Sequence, residues 1–290
     1  MQKIKDSELI LNPDGSVYHL NLKPKNIAND IIFVGDQDRV SSITKYFDSI
    51  EFSTQKREFK TETGLYKGKR LTVISTGIGP DNIDIVLNEL DALVNIDFRT
   101  KTVKPNLTSL NIIRVGTSGS LQADIPVDSL LMSAFAIGTD NMLRSYELQN
   151  IQNQSIEKAF VNHTNWDLSK GLPYVIAADN DLLKKFQPDR IFEGITITAP
   201  GFYGAQGRIL RLPLQDAFLN DKIDSFAYEG LKATNLEMET AAIYGLSKLL
   251  GHKALSLNAI VANRKNGTFS ADPYKTIDEL IRFTLDRILA

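Results

Sequence analysis

Short apolar runs rich in β-branched residues alternate along the chain with longer stretches whose apolar positions recur every three or four residues. Ile31-Ile32-Phe33-Val34 stops at Gly35, Leu71 to Thr76 stops at Gly77, Ile112-Ile113-Arg114-Val115 stops at Gly116, and Ala254 to Ala262 stops at Asn263-Arg264. Brief apolar runs ending at glycine or polar residues predict buried strands of an α/β sheet. Between them, Ile83, Val86, Leu87, Leu90, Leu93 and Val94 share one face of a helix over 82–94. Ala242, Ile243, Leu246, Leu249 and Leu250 do the same over 240–250, with Gly251 as the stop signal. Ile277, Leu280, Ile281, Leu285, Ile288 and Leu289 predict a terminal amphipathic helix. Phe98 to Asn111 and Asn220 to Gly230 read as surface loops or insertions. No repeat, low-complexity segment or Pro/Gly/Ser linker divides the chain, so a single domain over 1–290 is expected, α/β in class with a largely central sheet. In such sheets ligands sit beyond the carboxyl ends of strands. The strand-to-glycine junctions are therefore where chemistry is expected.

Composition narrows the possibilities. Of 290 residues 42% are hydrophobic, and 33 basic against 35 acidic side chains leave a formal net charge of -2. That balance supplies no global basic field for a nucleic-acid partner. The absence of cysteine removes thiol nucleophiles, disulfides and thiolate metal sites together. The three histidines, His19, His163 and His252, do not share a helical turn, so no metal site is expected. Residues 1–15 carry charges throughout, and the longest apolar stretch, Leu130 to Gly138, is too short to span a bilayer. A soluble cytoplasmic protein without a membrane partner is the expectation.

Four segments carry candidate chemistry. In Val34-Gly35-Asp36-Gln37-Asp38-Arg39-Val40 a strand end turns into a helix start, where amides and Arg39 suit an anion; an ordinary βα turn with a solvated arginine is the alternative. In Arg114-Val115-Gly116-Thr117-Ser118-Gly119-Ser120 an arginine inside an apolar strand is costly unless its guanidinium meets an anion or a carboxylate. A structural salt bridge competes with a ligand role there. In Asn235-Leu236-Glu237-Met238-Glu239-Thr240 two carboxylates at i, i+2 face one ligand only if one of them lies on irregular backbone, and helix capping is the competing role. In Phe202-Tyr203-Gly204-Ala205-Gln206-Gly207-Arg208 an aromatic, an amide and a guanidinium suit the face and polar edge of a planar ring. A Walker loop, a G-x-G-x-x-G fingerprint and a G-x-S-x-G elbow are all absent.

In their order along nearly the whole chain these segments resemble the nucleoside phosphorylase family. Val17-Tyr18-His19-Leu20, Arg57-Glu58-Phe59, Ser75-Thr76-Gly77-Ile78-Gly79 and Val261-Ala262-Asn263-Arg264 complete the set. The resemblance implies a mixed central sheet flanked by helices in three layers. It also implies phosphorolysis of a nucleoside to free base and ribose 1-phosphate, with inorganic phosphate as co-substrate and no other cofactor. It assigns phosphate to Gly35, Arg39, Arg114 and Thr117, with Arg57 from a neighbouring subunit. Ribose falls to Glu237, Met238 and Glu239, with His19 of the neighbour, and the base falls to Ser118, Gly119, Phe202, Gln206 and Arg208. Asn263 and Arg264 stand behind the base. Purine-selective relatives carry an aspartate where Asn263 stands, so a pyrimidine nucleoside is expected, uridine above all. A purine phosphorylase, a nucleosidase and a non-catalytic nucleoside-binding protein are the alternatives. A homodimer or higher homo-oligomer follows if Arg57 and His19 act across an interface. Departures from the pattern are Gln37 for a usual proline, Gly204-Ala205 for Pro-Gly, and Pro80-Asp81-Asn82 where a second glycine is familiar. For that last reason the interfacial monovalent cation of some relatives is not carried over.

Overall fold

A computed structural model describes residues 3–187 and 191–290, and these form two compact units. The chain up to Ile113 makes the first, together with Leu250–His252; Arg114–Leu249 and Lys253–Ala290 make the second.

In the first unit the elements run β1 (Asp30–Val34), α1 (Gln37–Thr44), β2 (Ser49–Lys56), β3 (Phe59–Tyr66), β4 (Lys69–Ser75), α2 (Pro80–Asn95), β5 (Ile96–Asp97) and β6 (Thr102–Val103). The sheet order is β2–β3–β4–β1. The first three strands form an antiparallel meander, and β1 joins β4 in parallel. The run Ile31 to Val34 is wholly buried, as its unbroken apolar character requires. Helix α2 begins with proline at its first turn, where no amide partner is lost, and buries Ile83, Val86, Leu87, Leu90 and Leu93 along the anticipated face. Residues 98–111 are more ordered than a plain loop. They include β6, which pairs back onto β5 as a short ribbon, and the Asn95 side chain donates to Thr108 O while accepting from Thr108 N.

The second unit takes up β7 (Asn111–Ser120) from Arg114 onward. It continues through β8 (Leu130–Gly138), α3 (Gln154–Thr164), β9 (Tyr174–Ala177), α4 (Asn180–Phe186), β10 (Phe192–Thr198), α5 (Leu219–Asp224), β11 (Ala227–Tyr228) and β12 (Leu231–Glu237). Then follow α6 (Thr240–Leu249), β13 (Lys253–Asn263), β14 (Thr268–Phe269) and α7 (Pro273–Leu289). Strand order is β12–β10–β8–β13–β7, and β7 pairs back onto β12 through Ser120↔Asn235 and Gly119↔Leu236. Five strands thus close into a ring. Strand alternation gives the ring two kinds of surface. Ile137, Ile195, Ile197, Ala233 and Leu236 pack with Ile156 and Phe160 of α3 and Leu219 and Ile223 of α5. Thr196 and Thr198 point the other way, into a buried polar network with Ser133, Asn235 and Glu237.

Two expectations are corrected here. The strand that was to stop at Gly116 runs on to Ser120, because Gly119 and Ser120 pair with β12 and Ser120 O accepts from Arg264 N. Residues 220–230 are not a loop but hold most of α5 and the β11 arm of a hairpin. Helix α6 ends at Leu249 and Gly251 follows at φ 79°, the left-handed geometry its stop role required. Both units are mixed sheets with helices packed on them, the α/β class expected.

Candidate functional site

In the first unit the candidate anion segment is a strand end followed by a capped helix start. Gly35 ends β1, and Asp36 caps α1 by accepting the Asp38 amide at 2.9 Å. Arg39 lies in the first turn, half-buried. A side chain at Gly35 would meet only Gly77 O, at an ordinary 3.6 Å, so folding of this unit does not demand a glycine there. Arg57 occupies the two-residue turn between β2 and β3 with φ 56°. The turn is tied to α1 by Gln37, whose amide donates to Arg57 O at 2.7 Å and accepts from Gln55 at 2.7 Å. The glutamine that replaces a usual proline therefore serves as a tether.

Tyr18 gathers the two residues expected to act across an interface. The Arg57 guanidinium lies 5.9 Å from its ring centre, and the His19 ring meets it edge-on at 4.8 Å. Glu89 fixes this strip: its carboxylate accepts from His19 Nδ1 at 2.6 Å and from the His19 and Leu20 amides at 2.9 and 2.8 Å. Sequence pattern assigns Glu89 only to the polar side of α2. Its role appears once the strip that it holds is placed beside it.

In the second unit, Arg114 is the centre of a buried charge cluster. Its guanidinium is buried and donates to Glu239 Oε2 at 2.6 Å and Asn258 Oδ1 at 2.9 Å, with Glu237 Oε2 at 3.2 Å. Burial disfavours the charge, but Glu237 and Glu239 together outweigh that cost and hold the group above its ordinary value. The side chain folds back along its own strand: a Cβ at Gly116 would lie 1.9 Å from Nη1 and 2.5 Å from Cζ. Thus the carboxylate alternative for Arg114 is what this structure shows, and Gly116 is a glycine for lack of space.

The two glutamates divide the roles that sequence left open. Glu237 closes β12 and caps α6, accepting from the Glu239 amide at 2.9 Å, the Thr240 amide at 3.0 Å and Thr198 Oγ1 at 2.5 Å. Glu239 lies on the bend between β12 and α6 and is turned toward Arg114. Met238, between them, is half-buried. Ser118 is buried and accepts from Asn235 Nδ2 at 3.0 Å. By strand alternation Thr117 and Gly119 face away from Arg114 and Ser118.

The 202–208 loop forms a second cluster of opposite electrostatic character. Arg208 stacks on Phe202 at 3.8 Å and donates to Phe202 O at 2.6 Å and Gln206 Oε1 at 2.5 Å. Arg264 donates to Gln206 O at 2.6 Å and runs past Gly119, where a Cβ would lie 3.5 Å from its Cγ. Among the described residues neither guanidinium forms an ion pair with a carboxylate. Burial, and then the charge of Arg208, pull Arg264 down to about 10, and burial lowers Arg208 too. Asn263 is spent on scaffolding: its amide donates to Gln122 O and Ile125 O, both at 2.8 Å, and accepts the Asn266 amide at 2.8 Å.

Pattern reading passes over Asn258, Ser256, Thr198 and Asn235. The first two carry the same signal as Arg114, a polar side chain inside an apolar strand run. Among the described residues no group of three or more His, Asp or Glu side chains gathers as metal ligands, and no helix is long and apolar enough to cross a membrane.

Comparison with known proteins identifies the family. Residues 30–284 match the family model described as the Phosphorylase superfamily. A uridine phosphorylase of Thermococcus kodakarensis is 27% identical over 272 residues, which cover 93% of this chain and 85% of that one. A DeoD-type purine nucleoside phosphorylase of Listeria monocytogenes is also 27% identical, over 271 residues, 92% of this chain and 97% of its own. The crystal structure of a Trypanosoma brucei nucleoside phosphorylase, described as showing uridine phosphorylase activity, superposes with a TM-score of 0.87 at 31% identity, covering 97% of this chain and 99% of the other. The chain belongs to the phosphorylase superfamily.

Proposed function

We propose that the protein is a uridine phosphorylase, converting uridine and inorganic phosphate to uracil and ribose 1-phosphate. The observation that carries the reading is the Gln206–Arg208–Arg264 cluster beside the Phe202 ring. Two half-buried guanidiniums without a carboxylate partner are electrostatically costly, and an electron-rich carbonyl edge or a departing pyrimidine anion relieves that cost. Gln206 Oε1 is engaged by Arg208, so its amide nitrogen remains to donate to a base carbonyl. The position at which purine-selective relatives carry an aspartate holds Asn263, an amide that cannot protonate a ring nitrogen and is fully committed elsewhere.

In the reaction a phosphate oxygen forms a bond to C1′ as the C1′–N1 bond breaks. The bonding pair leaves with uracil, and the proton of hydrogen phosphate passes to N1. The transition state is oxocarbenium-like and needs no protein nucleophile. Arg114 of the second unit is a guanidinium suited to the phosphate oxyanion, and Arg39 at the α1 start of the first unit is of the same chemical kind. Glu239 suits the ribose hydroxyls, and a sugar that donates to it loosens its hold on Arg114. Positioning and charge stabilisation then supply the rate, and loss of one preorganised donor costs about 10²–10³ in kcat. Pyrimidine salvage in the cytoplasm by a homo-oligomer that shares His19 and Arg57 between subunits fits this reading.

The test is uracil release from uridine with and without phosphate, beside inosine as a second substrate. Release that depends on phosphate and favours uridine is expected. Equal release in phosphate-free buffer makes the protein a nucleosidase, faster inosine turnover makes it a purine phosphorylase, and binding without turnover ends the enzymatic reading.

A further inference from the structure

The Arg114 guanidinium is gripped from two sides, and one side has no role in the reaction as described. Glu239 and Glu237 both meet Nη2, whereas Nη1 meets Asn258 Oδ1 at 2.9 Å. Arginine only donates, so the Asn258 atom facing it is the carbonyl oxygen. A rigid planar fork held at a single nitrogen still swings about that nitrogen. A second anchor on the other nitrogen fixes the plane and the direction of every remaining N–H.

Asn258 is itself held. Its Nδ2 points to Ser256 Oγ at 3.5 Å, Ser256 Oγ pairs with Thr240 Oγ1 at 2.8 Å, and the Thr240 amide donates to Glu237 at 3.0 Å. Glu237 meets Arg114 again, so the network is a closed loop joining β7, β13, β12 and α6. Asn258 is fully buried between Leu257 and Ala259 on β13, both of them also fully buried. Its side chain faces the polar network rather than the apolar side of its strand neighbours, and leucine, the apolar residue of the same branched shape, would leave Arg114 Nη1 without its acceptor there. The amide also adds no charge where two carboxylates already outnumber one guanidinium, and a third would oppose an incoming phosphate.

We propose that Asn258 is a positioning residue that sets the orientation of the Arg114 guanidinium and thereby the protein's affinity for the phosphate co-substrate. This rests on the phosphorolysis proposed above.

The experiment compares wild type, Asn258→Leu and Asn258→Asp, varying phosphate and uridine separately and recording each Tm. Asn258→Leu removes the acceptor and is expected to raise the phosphate KM about 10- to 100-fold, the range of one hydrogen bond to a charged group, with the uridine KM within about twofold. Asn258→Asp keeps shape and acceptor but adds charge, and is expected to raise the phosphate KM as well; it carries the test if the leucine variant does not fold. A general packing defect would shift both KM values together with Tm. Phosphate KM within about twofold of wild type in a folded variant, or equal rises in both KM values, overturns the proposal. Phosphate-independent wild-type turnover overturns the underlying reading instead, and the assignment of Asn258 falls with it.

Discussion

Gly116→Ala tests whether the Arg114 cluster is as tightly determined as its geometry implies. The perturbation is one methyl group. Gly116 is buried within β7 and its φ lies outside the left-handed region, so the change brings no backbone strain. Its cost is steric: the new Cβ falls 1.9 Å from Arg114 Nη1, 2.5 Å from Cζ and 2.9 Å from Nη2. Reaching van der Waals separation requires the guanidinium to retreat by roughly 1.5 Å. A free arginine tip makes such a move cheaply. This one holds Asn258 at 2.9 Å and Glu239 at 2.6 Å, and the retreat breaks both bonds. Two buried carboxylates then lose their cation, a loss of about 3–5 kcal/mol in buried pairs.

Urea denaturation of Gly116→Ala is therefore expected to show a loss of that size, together with a raised phosphate KM. The same alanine placed in an Arg114→Met background meets no guanidinium and costs under about 1 kcal/mol further. The cycle should accordingly show a coupling of about 2–5 kcal/mol. A Gly116→Ala protein within about 0.5 kcal/mol of wild type, or additive single and double variants, refutes the reasoning.

Three further outcomes are expected. Glu89→Ala removes the acceptor of the His19 and Leu20 amides and of His19 Nδ1; each stranded group costs about 1–3 kcal/mol, and hydrogen exchange should quicken first over residues 16–22. For Asp140, burial raises the carboxyl above its usual range despite the hydrogen bond from Tyr174. A folded-state value above the unfolded one means that stability falls as pH rises through that interval, so Asp140→Asn should melt higher than wild type at pH 8 and lose the advantage near pH 4. Arg264→Met and Arg208→Met should each lower kcat/KM for uridine about 10- to 100-fold while leaving the phosphate KM near wild type; a shift confined to phosphate would move these residues out of the base site.

Much of this was legible in the chain because it obeys local rules. The buried runs at 31–34 and 254–260, the α2 face and the Gly251 stop depend on periodicity and propensity alone, whereas α6 is buried all round over 240–247 and leaves the expected Leu249 and Leu250 half-buried. Arg114 announced itself as a charge inside an apolar strand. Asn258 follows the same grammar, yet it gains meaning only when β13 is placed beside β7. The continuation of β7 past Gly116 was hidden because its reason is non-local: Gly119 and Ser120 pair with residues more than a hundred positions away. The reason for Gly116 is likewise a side chain two positions back, folded onto it by partners on β12 and β13. Sequence could name both roles for Glu237 and Glu239, capping and charge pairing, but not which residue takes which. That depends on where β12 ends, and it ends at Glu237.

The two clusters of the second unit have opposite charge balance, and the opposition suits the proposed bond cleavage. Around Arg114 two carboxylates face one guanidinium; at the 202–208 loop two guanidiniums face none. As C1′–N1 breaks, positive charge develops on the sugar and negative charge on the base. With ribose at the carboxylates and the base at the loop, as proposed, the first cluster favours the sugar's positive charge and Arg208 with Arg264 the negative charge of the base, so the fixed charges would polarise the bond along the direction in which it must break. Both clusters flank β7, one at Arg114 to Ser118 and the other at Gly119, which fixes their spacing in a rigid strand. A protein that merely bound nucleosides would gain less from holding like charges together on that loop, since the intact base offers only neutral carbonyl oxygens and the departing base a full negative charge. The unrelieved guanidinium pair is therefore better explained by a charge that appears only in the transition state than by one present in the substrate.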